Sequence, residues 1–241
     1  ELPKTMCAHG WITIDETKMS KSLGNVISPS EILKSFELTN PDALRYYMVT
    51  SANFGRDGNY SDEDFKEKVN ADLANNIGNL LNRSLNMLVK YFDGEIKEEF
   101  ITNNSEIEVA GDKAIENVKK LFDGYQAAEA AGTIVEFANA VNKYVADNAP
   151  WTLAKEEKMT ECGQVLYNVL EASRKIAVML YPYCPNISKE IFDQLSLQPV
   201  VDYEKVSENK ISAGKITEKA KIHPVFPRVD SEFATDKKKD K

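Results

Sequence analysis

Two hydrophobic periods run along the chain. Between Thr5 and Ile14 ("TMCAHGWITI") β-branched and aromatic residues crowd together, and Asp15-Glu16-Thr17 follows with turn chemistry, which predicts two short strands around a hairpin. From Ser28 onward the apolar spacing is helical. Ser28-Pro29-Ser30-Glu31 is a capping box with proline at the first helical position, opening a short helix to about Leu38. Asn40-Pro41-Asp42 opens a second helix through "DALRYYMVTSA", and "FGRDGNY" after it reads as a loop. Ser61, with Asp64 three residues on, opens a long helix to about Phe92, stopped by Gly94. Helical periodicity returns over 111–123 and 134–147, with Gly132 punctuating between them, then over 162–181, ended by Tyr181-Pro182, and over 186–195. Helix after helix with short links predicts an antiparallel bundle. From Leu197 the pattern fades into polar, extended chain. "HPVFPRVD", 223–230, reads as a strap lying on something, and "DKKKDK" at the end as a solvated tail. The fold class expected is therefore mainly α, with a short β-hairpin at the start.

Composition narrows the function classes. Apolar residues make up 42% of 241, enough for a packed core. No run of about 18 apolar residues would span a membrane, and the first ten residues show no export signal. Cys7, Cys162 and Cys184 are odd in number, far apart and without a C-x-x-C pair, so reduced thiols are expected and no metal site. The net charge of −8 argues against a general DNA or RNA binder, though not against one shaped face with local positive charge.

One stretch in this acidic chain is cationic and built for movement: "ETKMSKSLGN", Glu16 to Asn25. It places Lys18 and Lys21 on a loop with Gly24 as a hinge. A cation delivered only as charge develops on a phosphate lowers a barrier, whereas one that binds ground and transition states equally does not. Ser20 and Ser22 supply hydroxyl donors to phosphate or hold the loop's shape.

Lys18-Met19-Ser20-Lys21-Ser22 resembles the signature loop of class I aminoacyl-tRNA synthetases. With the flanks "HGWITIDETKMSKSLGNVISP" and "DALRYYMVTSANFGRDGNYSDEDF", the chain is similar to the methionyl-tRNA synthetases from about Leu2 to Asp230. That resemblance implies ATP, methionine and tRNA(Met) as partners of the intact enzyme, Mg²⁺ with the ATP, and no DNA. It ranks Lys21 first and Lys18 second as catalytic groups on the ATP-binding loop Lys18, Met19, Ser20, Lys21, Ser22. The family's other ATP motif, H-x-G-H, is absent, since the histidines are His9 and His223 alone, and so is its zinc-bearing insertion. The expectation is a C-terminal portion, inactive alone and carrying no zinc. His9 beside Gly10 is expected to pack and hydrogen-bond rather than touch substrate.

Along the long helix Asp72, Asn76, Asn79, Arg83, Asn86 and Lys90 recur at spacings of three and four, one stripe opposite Leu73, Ile77, Leu80, Leu81 and Leu88. Asparagine is a poor helix former, and amides and guanidinium groups are what unpaired RNA bases require. "DNAPWTLAK" supplies Trp151, held by Pro150. By composition alone Trp151 reads more readily as a plug at the bundle's end. The resemblance instead implies that Asn79, Arg83, Pro150 and Trp151 bind the CAU anticodon, with Trp151 stacked under its first base. They are expected to converge on one exposed patch.

The organisation expected is 1–60, the end of the catalytic domain with its loop and linking helices; 61–200, an anticodon-binding helical bundle; and 201–241, the strap and charged tail. Two rivals stand beside this reading: another class I synthetase (isoleucine, valine, leucine or cysteine), and a stand-alone tRNA-binding or scaffold module. The thiols and the missing export signal point to the cytoplasm, with an organelle left open.

Overall fold

The computed structural model describes residues 2–6, 8–14, 16–103, 105–226 and 228–229. Cys7, Asp15 of the expected turn, Pro227 of the strap and the "DKKKDK" tail lie outside the described residues.

The expected hairpin forms. Strands β1 (Ile12–Ile14) and β2 (Thr17–Lys18) are antiparallel, with Thr13 opposite Lys18 and Ile14 opposite Thr17. The segment read as a loop contributes more than expected. Gly58–Tyr60 forms β3, parallel to β1 and registered Ile12 to Gly58, making a sheet of order β2-β1-β3. Between β2 and β3 run α1 (Pro29–Ser35), with both halves of the Ser28–Glu31 capping box in place, and α2 (Asp42–Thr50).

The long helix is one rod of three parts: α3 (Asp62–Lys68), a π-helical segment (Val69–Gly78) and α4 (Asn79–Phe92). Ser61 caps its start by accepting from the Asp64 amide at 3.1 Å. Its end is a left-handed turn in which Asp93 and Gly94 have φ of 52° and 79°, and the Gly94 amide reaches back to the Leu88 carbonyl. The bundle follows as α5 (Glu106–Asp123), α6 (Ala127–Asn148), α7 (Pro150–Lys155), α8 (Met159–Leu180) and α9 (Pro185–Gln194). Gly132 sits inside α6. The break before α6 lies at Gly124–Gln126, where Tyr125 takes φ of 60°. A short pair, β4 (Glu95–Ile96) with β5 (Gly214–Lys215), ties the tail segment to the rod's end.

Helix α8 is the axis of the bundle and touches α4, α5, α6, α7 and α9. At its start Gly163 faces the Phe100 ring so closely that a Cβ there would come within 2.4 Å of the ring. Three charged residues of α8 are buried as well. Arg174 is fully buried, donates twice to Glu171 Oε2 (3.0 and 2.8 Å) and donates to the Val206 carbonyl at 2.9 Å, while the Ile211 amide donates to Glu171. Lys175 reaches the Glu108 carbonyl and Asp112. The first pair latches residues 203–211 to the bundle. Removing one partner of a buried pair leaves a stranded charge. Arg174→Ala is therefore expected to cost about 3–5 kcal/mol of unfolding free energy, read from urea melts; a loss near zero would refute this account of the latch.

The strap continues over the rod. Asn70 pairs with Val229 as a strand neighbour would, accepting from its amide and donating to its carbonyl, both at 2.8 Å. Val225, Phe226 and Val229 are buried beneath it.

Candidate functional site

Two places carry the residues singled out by the sequence. The first is the loop after β2. Lys18 is the last residue of β2, and its Nζ lies 4.4 Å from the centre of the exposed Trp11 ring, a cation–π contact. Lys21, Ser22 and Leu23 form a single 3₁₀ turn. Gly24 ends it at φ 66°, a conformation glycine adopts without strain, and donates to the Lys21 carbonyl. Ser20 and Ser22 hydroxyls meet at 2.7 Å. The brace is Asn25, a residue the sequence reading gave no role: its Oδ1 accepts from the Ser20 amide at 2.7 Å and its Nδ2 donates to the Lys18 carbonyl at 3.2 Å. Met19 is half-buried, and Lys21 is exposed. Among the described residues neither lysine makes an ion pair.

His9 makes a hydrogen bond, as expected, without being packed. It is exposed, in contact with the Gly10 carbonyl at 2.7 Å, at the edge of a cavity of about 340 Å³ lined by Ile12, Met48, Phe54, Arg56 and Tyr125.

The second place is the exposed face of α4. Asn79, Arg83, Asn86 and Lys90 are exposed. Asp72 and Asn76 do not join them, because the wider π turn rotates that part of the rod. Asp72 accepts from Tyr46 Oη at 2.9 Å and pairs with Lys68, and Asn76 bonds across to Asn139 and Asn142 on α6. The sixfold stripe is thus a fourfold one. On its other side, Asn75, Asn79 and Asn82 line a hollow of about 520 Å³ with Pro224, Phe226 and Arg228 of the strap. Asn75, Asn82 and Arg228 escaped the sequence reading, because nothing in the linear pattern says that the strap returns here.

Pro150 is buried at the first position of α7, and its carbonyl accepts from the Cys162 thiol at 3.3 Å. Trp151 beside it is 40% exposed. Burial raises the Cys162 thiol to about 11, and Cys184 is pushed well above its ordinary value by burial first and Asp42 second. Helices α4 and α6 climb toward the same end of the bundle: Phe92 at the end of α4 meets Phe100, which lies on Gly163, and Pro150 after α6 meets Cys162. Among the described residues no group of three or more His, Cys, Asp or Glu is arranged to hold a metal, and no helix is long and apolar enough to cross a membrane.

Two family models match this arrangement and define its class, the class I tRNA synthetases: residues 1–85 match "tRNA synthetases class I (M)" and residues 106–237 match "Anticodon-binding domain of tRNA ligase". Methionine–tRNA ligases are similar in sequence, that of Listeria innocua at 40% identity over 96% of this chain and 35% of its own length, that of Thermotoga maritima at 37% over 95% and 36%. The Mycobacterium tuberculosis methionyl-tRNA synthetase in complex with methionyl-adenylate superimposes with a TM-score of 0.84 at 30% identity, over 95% of this chain and 45% of that one. The chain belongs to the methionyl-tRNA synthetase family. It spans about a third of the length of the curated relatives it matches.

Proposed function

We propose that this chain is the part of a methionine–tRNA ligase that carries the ATP-facing loop and reads the CAU anticodon of tRNA(Met). The observation that carries the reading is the pairing, in one chain, of a loop whose two lysines make no ion pair among the described residues with a bundle whose α4 carries exposed amide and guanidinium groups and whose α7 carries a partly exposed indole. In the intact enzyme the methionine carboxylate attacks the α-phosphate of ATP, a new P–O bond forms, and the bond to pyrophosphate breaks. Lys21, assisted by Lys18, stabilises the negative charge that grows on the departing oxygens. Ser20 and Ser22 hold the turn that presents them. Mg²⁺ accompanies the ATP phosphates and neutralises part of their charge. The solved relative described as bound to methionyl-adenylate supports methionine and ATP as substrates.

On the bundle, Asn79 and Arg83 bind base edges, and Trp151, held by Pro150, stacks under the first anticodon base. Under this reading 1–60 serves catalysis, 61–200 reads the anticodon, and 201–241 is the strap and charged tail. Its setting is the cytoplasm, in keeping with the buried free thiols Cys162 and Cys184.

The test is binding of anticodon stem-loops to the chain itself, where CAU should be preferred over single-base variants. Asn79→Ala removes one hydrogen bond and is expected to narrow the preference by about 0.5–1.5 kcal/mol, measured as the ratio of dissociation constants. An unchanged ratio would remove Asn79 from base recognition.

A further inference from the structure

At the first turn of α2, Asp42 and Arg45 grip the link between α8 and α9 from one side. Asp42 is fully buried, and its carboxylate accepts from the Ile187 amide at 2.7 Å and from Asn186 Nδ2 at 2.9 Å, at the start of α9. Arg45, three residues on and exposed, donates from Nε to the Tyr183 carbonyl and from Nη2 to the Pro182 carbonyl, both at 3.0 Å, just past the end of α8. The signs match the helix ends they meet: a carboxylate at an N-terminus, where unpaired amides carry partial positive charge, and a guanidinium at a C-terminus, where carbonyls carry negative charge.

Both neighbours of this clamp lead to a candidate site. Through α2, Tyr47 Oη donates to the Asn59 carbonyl at 3.1 Å, and Asn59 Oδ1 accepts from Thr13 Oγ1 at 3.0 Å and from the Glu16 amide at 2.8 Å, pinning the hairpin that carries Lys18. In the other direction α8, unbroken from Met159 to Leu180, covers about 27 Å between Leu180 and Cys162, which lies against Pro150. Only packed side chains and one continuous helix separate the loop from Trp151.

We propose that Asp42 and Arg45 are positioning residues that couple anticodon occupancy on the bundle to the placement of the cationic loop. The proposal rests on the function given above. Coupling between sites is worth about 5- to 150-fold in typical cases. The experiment uses the intact enzyme with Arg45→Ala, whose exposed position spares the core, and Asp42→Asn, which keeps the side chain's shape. Three quantities are measured: methionine-dependent pyrophosphate exchange without tRNA, affinity for the CAU stem-loop, and kcat and KM for charging full-length tRNA(Met).

The expected result is a kcat for charging that falls within that range, with exchange and stem-loop affinity within about twofold of the unaltered enzyme and partial rescue by Arg45→Lys. A joint fall of all three quantities with a lowered melting temperature overturns the proposal, because the clamp would then be structural alone. Unaltered charging overturns it as well. Absence of exchange and of stem-loop binding in the unaltered enzyme would instead sink the underlying function, so the two failures are distinguishable.

Discussion

Lys21→Ala in the intact enzyme is expected to slow methionyl-adenylate formation by about 100- to 1000-fold, the usual effect of deleting one electrostatic contact aimed at a transition state. The geometry of the loop explains why the loss should fall on rate rather than on ATP affinity. Lys18 is fixed by strand pairing with Thr13 and by the Trp11 ring. Lys21 instead stands on one exposed 3₁₀ turn, held by Asn25 on one side and by the left-handed Gly24 on the other. Under the proposed function such a group adds little to resting ATP binding and acts when the loop closes on the separating pyrophosphate. Single-turnover adenylate formation at saturating ATP is the measurement. A variant that raises only the Michaelis constant for ATP and keeps its rate would show that Lys21 binds substrate uniformly, and the transition-state role would be wrong.

Local chemistry was legible before the structure. The Ser28–Glu31 capping box, the hairpin of β1 and β2, the Ser61 cap and the proline starts each depend on neighbours within a few residues. What escaped depends on distance or on a changed period. β3 exists because Gly58–Tyr60 finds β1 more than forty residues away, and Gly-Asn carries no strand preference to announce it. The stripe on the long helix assumed 3.6 residues per turn, which the π segment does not keep, so Asp72 and Asn76 left the open face for Tyr46 and α6. Gly132 looked like a break and lies within a helix, because α6 is held by packing against α5 and α8 rather than by propensity. The charges of α8 at 171, 174 and 175 gave no hint of burial: Glu171 and Arg174 pair within the helix at a spacing that suits an exposed face equally well, and what covers them and Lys175 comes from α5 and from the segment after Leu197. In the loop Asn25 was visible but its brace was not, because a side chain that bonds two backbone groups leaves no periodic trace.

Trp151→Ala is expected to weaken binding of a CAU stem-loop by about 1–3 kcal/mol, the worth of one stacked base, while leaving the chain's melting temperature nearly unchanged. The two halves of this expectation have separate causes. Affinity falls because the indole is 40% exposed and follows a buried proline that fixes the backbone, so its open face can take a stacked base, while under the proposed function Asn79 and Arg83 bond base edges of the same anticodon loop. Stability survives because the anchor of this corner is Pro150, buried at the start of α7 with its carbonyl engaged by Cys162, and neither contact involves the indole. Isothermal binding to cognate and non-cognate stem-loops, paired with thermal melting of the same variant, separates a stacking platform from a plug. A large drop in melting temperature with unaltered relative affinities would make Trp151 part of the core. Recognition would then have to rest on the amide and guanidinium groups of α4 alone, which bond base edges but offer no broad apolar face to hold an unstacked base in place.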